Sequence, residues 1–64
     1  MTHQYKNKYH IWIPDERDPE MLRKAATITG HDLAFEFALF LSMSRKIPVW
    51  MTAEDLRLIH KIPA

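Results

Sequence analysis

Along the segment Tyr-His-Ile-Trp-Ile at positions 9–13, apolar residues occupy every second position, and His10 and Trp12, whose rings each carry a polar nitrogen, lie between them. Alternation in a run rich in β-branched and aromatic residues, ended by Pro14, predicts a strand over about residues 8–13. Successive side chains of a strand point to opposite faces, so every second residue belongs to the core. The residues predicted to point inward are Tyr9, Ile11 and Ile13, and those predicted to line the opposite face are Lys6, Lys8, His10 and Trp12.

The pattern changes to helical spacing after the sequence Asp18-Pro19-Glu20. The aspartate is suited to accept backbone hydrogen bonds as an N-cap, and proline is tolerated at the first helical position. Apolar residues then recur at positions 21, 22, 25 and 26, on one side of a helix. Gly30, the only glycine of the chain, would end this helix in a left-handed conformation. We therefore predict helix A over about residues 19–29.

A second helix, helix B, is predicted over about residues 32–46, with Asp32 as its N-cap and an end before the next proline. It is apolar on almost every side, but it is shorter than the roughly 20 residues needed to cross a bilayer. Such a helix is expected at the centre of an oligomer. Glu36, within it, is expected either to be partly exposed or to be buried with a partner such as His31 or Arg23.

The residue pattern at the end of the chain predicts a third, short helix over about residues 52–62. Thr52 and Asp55 have the spacing of a capping box, and an apolar stripe follows at positions 56, 59 and 62. No repeat or linker interrupts the chain, so we expect one domain over residues 1–64. The expected fold class is mainly α, with one strand, two helices and the short C-terminal helix.

Chain length and composition favour self-association. A chain of 64 residues buries only about 60% of the surface that its unfolded form exposes, and the absence of cysteine excludes disulfides as a supplement. We therefore expect a homodimer. No segment resembles a signal peptide or a membrane span, so we expect a cytoplasmic location and no membrane partner.

Charge is distributed unevenly, although the formal net charge is only +1. Residues 1–13 contain two lysines and two histidines and no acid, whereas residues 14–20 contain four acids and one arginine. The beginning of the chain is thus the electropositive part, where a polyanion is expected to bind. Two copies of the strand, paired antiparallel, would form a ribbon of the width that fits the major groove of DNA. The alternative is a solvated strand edge that lysines protect from aggregation.

Signatures of enzymes and cofactor sites are missing from the sequence. It contains no HExxH motif, glycine-rich phosphate loop or cysteine nucleophile, so we expect neither an enzyme nor a cofactor. The four histidines do not occur at the three- or four-residue spacing that places two ligands on one helical face. We expect no metal site, unless two copies of the chain assemble one.

The order of elements resembles the ribbon-helix-helix family, and in particular its Arc-like repressors. Residues 9–13 with the following proline are similar to the family's strand, and Met21-Leu22-Arg23-Lys24-Ala25-Ala26 followed by Gly30 is similar to its first helix. Positions similar to the family's second helix are Leu33, Glu36, Phe37 and Leu41. The resemblance covers about residues 8–46.

The resemblance implies an intertwined homodimer whose paired strands read the major groove, while the start of helix B binds a phosphate. Lys8, His10 and Trp12 would face the bases, and Lys6 would add positive charge. The predicted function is a small dimeric DNA-binding regulator of transcription. Its predicted dimer core consists of Tyr9, Ile11, Ile13, Leu22, Leu33, Phe37 and Leu41.

Aromatic and apolar residues in the second half of the chain favour an alternative function. The same fold could serve as a protein-binding module or a small antitoxin-like inhibitor that docks a partner protein. The residues expected to contact that partner are Phe35, Phe40, Trp50, Leu56 and Ile59. They could also pack against each other, with the third helix folded over helix B.

Overall fold

Residues 7–64 are described by a computed structural model, in which four antiparallel strands form one sheet and one helix lies across a face of that sheet. The elements in chain order are β1 (Lys8–Pro14), β2 (Leu22–Thr29), α1 (His31–Arg45), β3 (Val49–Ala53) and β4 (Leu58–Ile62). Their order across the sheet is β2-β1-β3-β4, so β1 and β3 are central. Lys6, predicted to bind nucleic acid, lies outside the described residues.

The predicted ribbon-helix-helix fold, mainly α and intertwined with a second copy, is wrong. β1 and α1 lie where a strand and helix B were predicted, but helix A (19–29) and the C-terminal helix (52–62) are replaced by β2 and by the β3–β4 hairpin. β1 pairs with β2 along one side and with β3 along the other. Its backbone groups are therefore occupied within the chain and cannot form a ribbon with another copy.

β2 replaces helix A because the sequence around Asp18 begins a turn. The Asp18 carboxylate accepts a hydrogen bond from the Glu20 amide at 3.1 Å, and its carbonyl accepts one from the Met21 amide at 2.8 Å. Both bonds are typical of an aspartate-initiated turn. The Thr-Ile-Thr sequence at the end of β2 is β-branched and favours a strand. Within β2, Ala26 and Ile28 pack against the core.

The residues of the expected capping box do not begin a helix: Thr52 belongs to β3, and Asp55 lies in the connection between β3 and β4. The Asp55 carboxylate accepts a hydrogen bond from the Arg57 amide at 3.1 Å, two residues further along the chain. Leu56 has a φ of 71°, and its amide donates to the Ala53 carbonyl at 2.9 Å. Asp55 therefore stabilises a tight turn instead of the start of a helix.

Gly30 begins α1 instead of ending a helix. Its φ of 100° is costly for a residue with a Cβ atom, which explains why the glycine stands here. The Gly30 amide donates to the Asn7 carbonyl at 2.8 Å, and its carbonyl accepts from the Ala34 amide at 3.0 Å. At the other end of α1, Lys46 has a φ of 57°, and its amide donates to the Ser42 carbonyl. This left-handed residue ends the helix.

The core lies between α1 and one face of the sheet. Ala34 and Ala38 are fully buried where the helix faces the sheet, and their small side chains let the two layers approach closely. The Ser42 hydroxyl donates to the Pro63 carbonyl at 2.9 Å and so fastens the end of the chain to the helix. The buried apolar residues are Tyr9, Ile11, Ile13, Ala34, Ala38, Leu41, Val49, Met51 and Ile62.

Residues predicted for a dimer core are divided between the inside and the surface of the single chain. Phe37 is half-buried against the core. Leu22 and Leu33, which are 41% and 65% exposed, do not belong to the core, because Leu22 begins an edge strand and Leu33 lies on the outer side of α1. Four of the predicted residues are buried within the chain: Tyr9, Ile11, Ile13 and Leu41.

The outer side of α1 is exposed and largely apolar. Phe40 and Met43 are 64% and 70% exposed, and they lie on the same side of the helix as Leu33. Glu36 is exposed on this side, which is one of the two arrangements expected for it. In the part of the chain that the structure describes, no helix is both long enough and apolar enough to cross a membrane.

Candidate functional site

The sheet face that α1 does not cover is the candidate site, and we call it the open face. It is formed by the strand residues that alternate with the core residues. Residues directly opposite each other on neighbouring strands share a face, so the strand register identifies its members. Those that the argument uses are Lys8, His10, Trp12, Lys24, Thr27, Trp50, Thr52 and Lys61.

One row of side chains crosses all four strands of the open face. Trp12 of β1 is directly opposite Trp50 of β3. On their outer sides, Trp12 is opposite Lys24 of β2, and Trp50 is opposite Lys61 of β4. A β-bulge between Ile11 and Trp12 shifts the register and thereby brings Lys24 into the row. Two adjacent indoles are thus flanked by one lysine on each side.

The polar edges of the aromatic residues are held by neighbouring side chains. The Trp12 indole nitrogen donates a hydrogen bond to the Thr52 hydroxyl at 2.8 Å, and a 2.9 Å hydrogen bond joins His10 Nδ1 to the Thr27 hydroxyl. The rings of His10 and Trp12 meet edge to face, with centroids 6.1 Å apart. These contacts orient the rings before any ligand binds.

Trp50 lies beside a charged side chain and a shallow depression. The Lys61 ammonium nitrogen is 5.5 Å from the centroid of the Trp50 ring, within the range of a cation–π interaction. The depression has a volume of about 290 Å³ and is lined by Trp12, Leu22, Trp50, Thr52 and Leu56. Its volume is just below the range typical of small-molecule sites, and its walls are mainly apolar and aromatic.

Charge separates the strands from the rest of the chain. The strands carry four cationic side chains, Lys8, Arg23, Lys24 and Lys61, and none of the eight acidic residues. The acids lie in the connections and in α1: Asp15, Glu16, Asp18, Glu20, Asp32, Glu36, Glu54 and Asp55. An anionic ligand on the open face would therefore contact lysines without an opposing carboxylate in the same strand row.

Three of the four residues predicted to bind nucleic acid lie on this face, namely Lys8, His10 and Trp12. The prediction missed Lys24 and Lys61, because both were assigned to helices, whose faces are different. It placed Trp50 in a protein-binding surface. A strand signal was present around that residue, since Val-Trp-Met-Thr follows a proline and alternates between core and open-face positions.

The five residues predicted to contact a protein partner do not form one surface. Phe40 is exposed on the outer side of α1, whereas Trp50 and Leu56 border the depression on the open face. Phe35 and Ile59 are half-buried and pack against the core. They are separated because α1 covers one face of the sheet, whereas Trp50 and Leu56 border the opposite face.

Within residues 7–64, no group of three or more histidine, cysteine, aspartate or glutamate side chains is arranged to hold a metal ion. A pair of histidines, His31 and His60, does come together, with their Nε2 atoms 3.2 Å apart. Comparisons of the chain with protein families, with characterised proteins and with solved structures found no match.

Proposed function

We propose that this protein binds single-stranded nucleic acid on its open face. Bases would stack on Trp12 and Trp50, and the phosphates between them would contact Lys24 and Lys61. The observation that carries the proposal is the Lys24–Trp12–Trp50–Lys61 row across the four strands. Aromatic platforms flanked by positive charge are the usual means of binding single strands, because every base presents a ring face.

The dimensions of the sheet favour a single strand over duplex DNA. Three interstrand spacings of about 4.8 Å make the sheet roughly 14 Å wide between its outer strands, more than the roughly 12 Å major groove that admits a two-stranded ribbon. In a duplex the ring faces are also stacked inside the helix, where indoles cannot reach them. An unpaired strand leaves these faces accessible.

The energies expected of the row are sufficient for a measurable affinity. Each base that stacks on an aromatic side chain contributes about 1–3 kcal/mol, and the two indoles lie on neighbouring strands. A ligand that crosses the strands would meet one ring after the other. Lys8, at the far end of β1, would contact a further phosphate. The orientation of Trp12 by Thr52 lowers the entropy that binding would cost.

We do not propose transcription regulation, because that role came from a resemblance to repressors whose fold this chain does not have. The proposal includes the cytoplasmic location expected from the sequence, because single-stranded nucleic acid is found there.

The two tryptophans of the chain are both on the open face, so their fluorescence is a direct reporter of stacking. The test is a titration with a single strand of about 10 nucleotides, within the site sizes of single-strand-binding folds, and with a hairpin duplex of the same composition. We expect saturable quenching by the single strand and weaker binding as salt rises from roughly 50 to 200 mM. Equal affinity for the duplex, or no quenching, would contradict the proposal.

A second candidate is self-association through the outer side of α1, which accords with the homodimer expected from the sequence. The observation that favours it is the exposure of Leu33, Phe40 and Met43 on one side of that helix. A second copy is the proposed occupant, because a chain with a core this small is stabilised by burying the same apolar stripe against itself. Sedimentation at micromolar concentration, compared with a Phe40→Asp variant, distinguishes a dimer from a monomer.

A further inference from the structure

We propose that His31 and His60 form a binding site for a divalent transition metal ion, with Zn²⁺ as the expected ion. His31 is the first residue of α1 and His60 lies in β4, 29 residues later in the sequence. The fold brings their Nε2 atoms to 3.2 Å. Imidazole nitrogen is a preferred ligand of zinc and of its neighbours in the transition series.

The distance between the two nitrogens matches a shared metal ion. With zinc–nitrogen bonds of about 2.0–2.1 Å, two nitrogens 3.2 Å apart subtend an angle of roughly 100° at the metal, near the tetrahedral value. The ring centroids are 5.3 Å apart, farther than the nitrogens, so each Nε2 lies on the side of its ring that faces the other. Neither ring has to turn over to present its nitrogen.

Neighbouring side chains hold both imidazoles in this orientation. Asp32 Oδ1 lies 3.1 Å from His31 Nδ1, so a proton on Nδ1 is donated to the carboxylate and the Nε2 lone pair is left for a metal. The Phe35 ring lies parallel to the His31 ring, with centroids 6.4 Å apart, and it is tilted against the His60 ring, with centroids 4.9 Å apart. Tyr9 meets His31 edge to face. Asp32 is thus a positioning residue for the site.

Without a metal, the same geometry supports a hydrogen bond between the two rings, in which one Nε2–H donates to the other Nε2. A metal ion would replace that hydrogen, and the proton would be released to solvent. The chain supplies two ligands, and water would complete the coordination, since the His31 side chain remains 31% exposed. The bound ion would connect the start of α1 to an edge strand of the sheet.

Metal that binds only the folded chain stabilises it, so thermal unfolding is a sensitive measurement. The experiment adds Zn²⁺ to the full-length chain in a His3→Gln background, which removes a histidine outside the described residues. We expect one ion per chain, and an increase in Tm on the order of 10 °C when free Zn²⁺ exceeds its Kd a hundredfold. No saturable binding would overturn the proposal.

Substitutions of single residues test whether Zn²⁺ binds at His31 and His60. His31→Gln and His60→Gln should each lower the Zn²⁺ affinity at least tenfold, and His10→Gln, on the open face, should leave it unchanged. Asp32→Asn should lower it by a smaller factor than either glutamine variant, because the Asp32 side chain is 97% exposed and its interaction with His31 is screened by solvent. If a glutamine variant fails to fold, the histidine ring nitrogens are followed by NMR in the chain with His31 and His60 intact. Zn²⁺ that shifts only these two rings supports the site, and shifts confined to other histidines overturn it.

Discussion

The two faces of the sheet are made from alternate residues of the same strands and yet differ in every chemical respect. In β1, Ile11 is completely buried under α1, while its neighbour Trp12 is half-buried on the open face. In β3, Met51 is completely buried, and its neighbour Trp50 borders a depression. One strand can therefore pack into the core on one side and form a binding surface on the other, because successive side chains point in opposite directions.

The difference between the faces also decides which residues are replaceable. The covered face is packed against a helix, where each lost methylene leaves a void and costs free energy. The open face contacts solvent, so its composition is free to serve a ligand. The lysines and indoles of its central row are not required by packing under α1, and this supports a role in binding.

The largest effect is expected on the covered face. Ile11→Ala should reduce the free energy of unfolding by about 2–5 kcal/mol, because Ile11 is completely buried in the core. His10→Ala, one position earlier, removes a hydrogen bond to Thr27 on the open face and should cost about 1 kcal/mol or less. Chemical denaturation of the two variants measures both values. Similar losses of unfolding free energy in Ile11→Ala and His10→Ala would show that both faces of the sheet contribute equally to stability.

An intermediate effect is expected from the indoles. Trp50→Leu should weaken binding of a single strand by about 1–3 kcal/mol, the contribution of one stacked base, while the unfolding free energy changes less than for Ile11→Ala. The matched control is Phe40→Leu, which removes an aromatic ring on the outer side of α1. Polarisation of a labelled oligonucleotide gives the affinities. Equal weakening by both changes would place the binding surface elsewhere.

The smallest effect concerns two adjacent cationic residues of β2 that point to opposite sides. Lys24 is opposite Trp12 on the open face, and Arg23 is opposite Ile13, which faces the helix. Lys24→Ala should reduce the slope of log affinity against log salt by about 0.7, as expected for one lost contact to a single-strand phosphate. Arg23→Ala should leave the slope unchanged. Titrations of both variants at several salt concentrations measure the two slopes of log affinity against log salt. Equal slopes for Lys24→Ala and Arg23→Ala would show that Lys24 does not contact the phosphate.

Local sequence signals were sufficient for β1 and α1. The alternation of residues 9–13 and the long apolar run before a proline each have one structural interpretation. The signals were ambiguous around β2, because Asp18-Pro19 before the strand and the two alanines within it are compatible with both a turn followed by a strand and a helix. Pairing with β1 along the whole of β2 decided in favour of the strand. Such pairing is a tertiary effect that overrides weak helical propensity.

The sequence by itself determined which residues of β1 share a face, because side-chain direction within a strand depends only on spacing. It also located the basic, aromatic side of that strand, with Lys8, His10 and Trp12. Only the tertiary structure placed Trp50 beside Trp12, and His60 beside His31. These neighbours are far apart in the chain, and their meeting depends on which strands pair and on which face the helix covers. Spacing within one element contains no information about either, since both follow from the burial of the whole core.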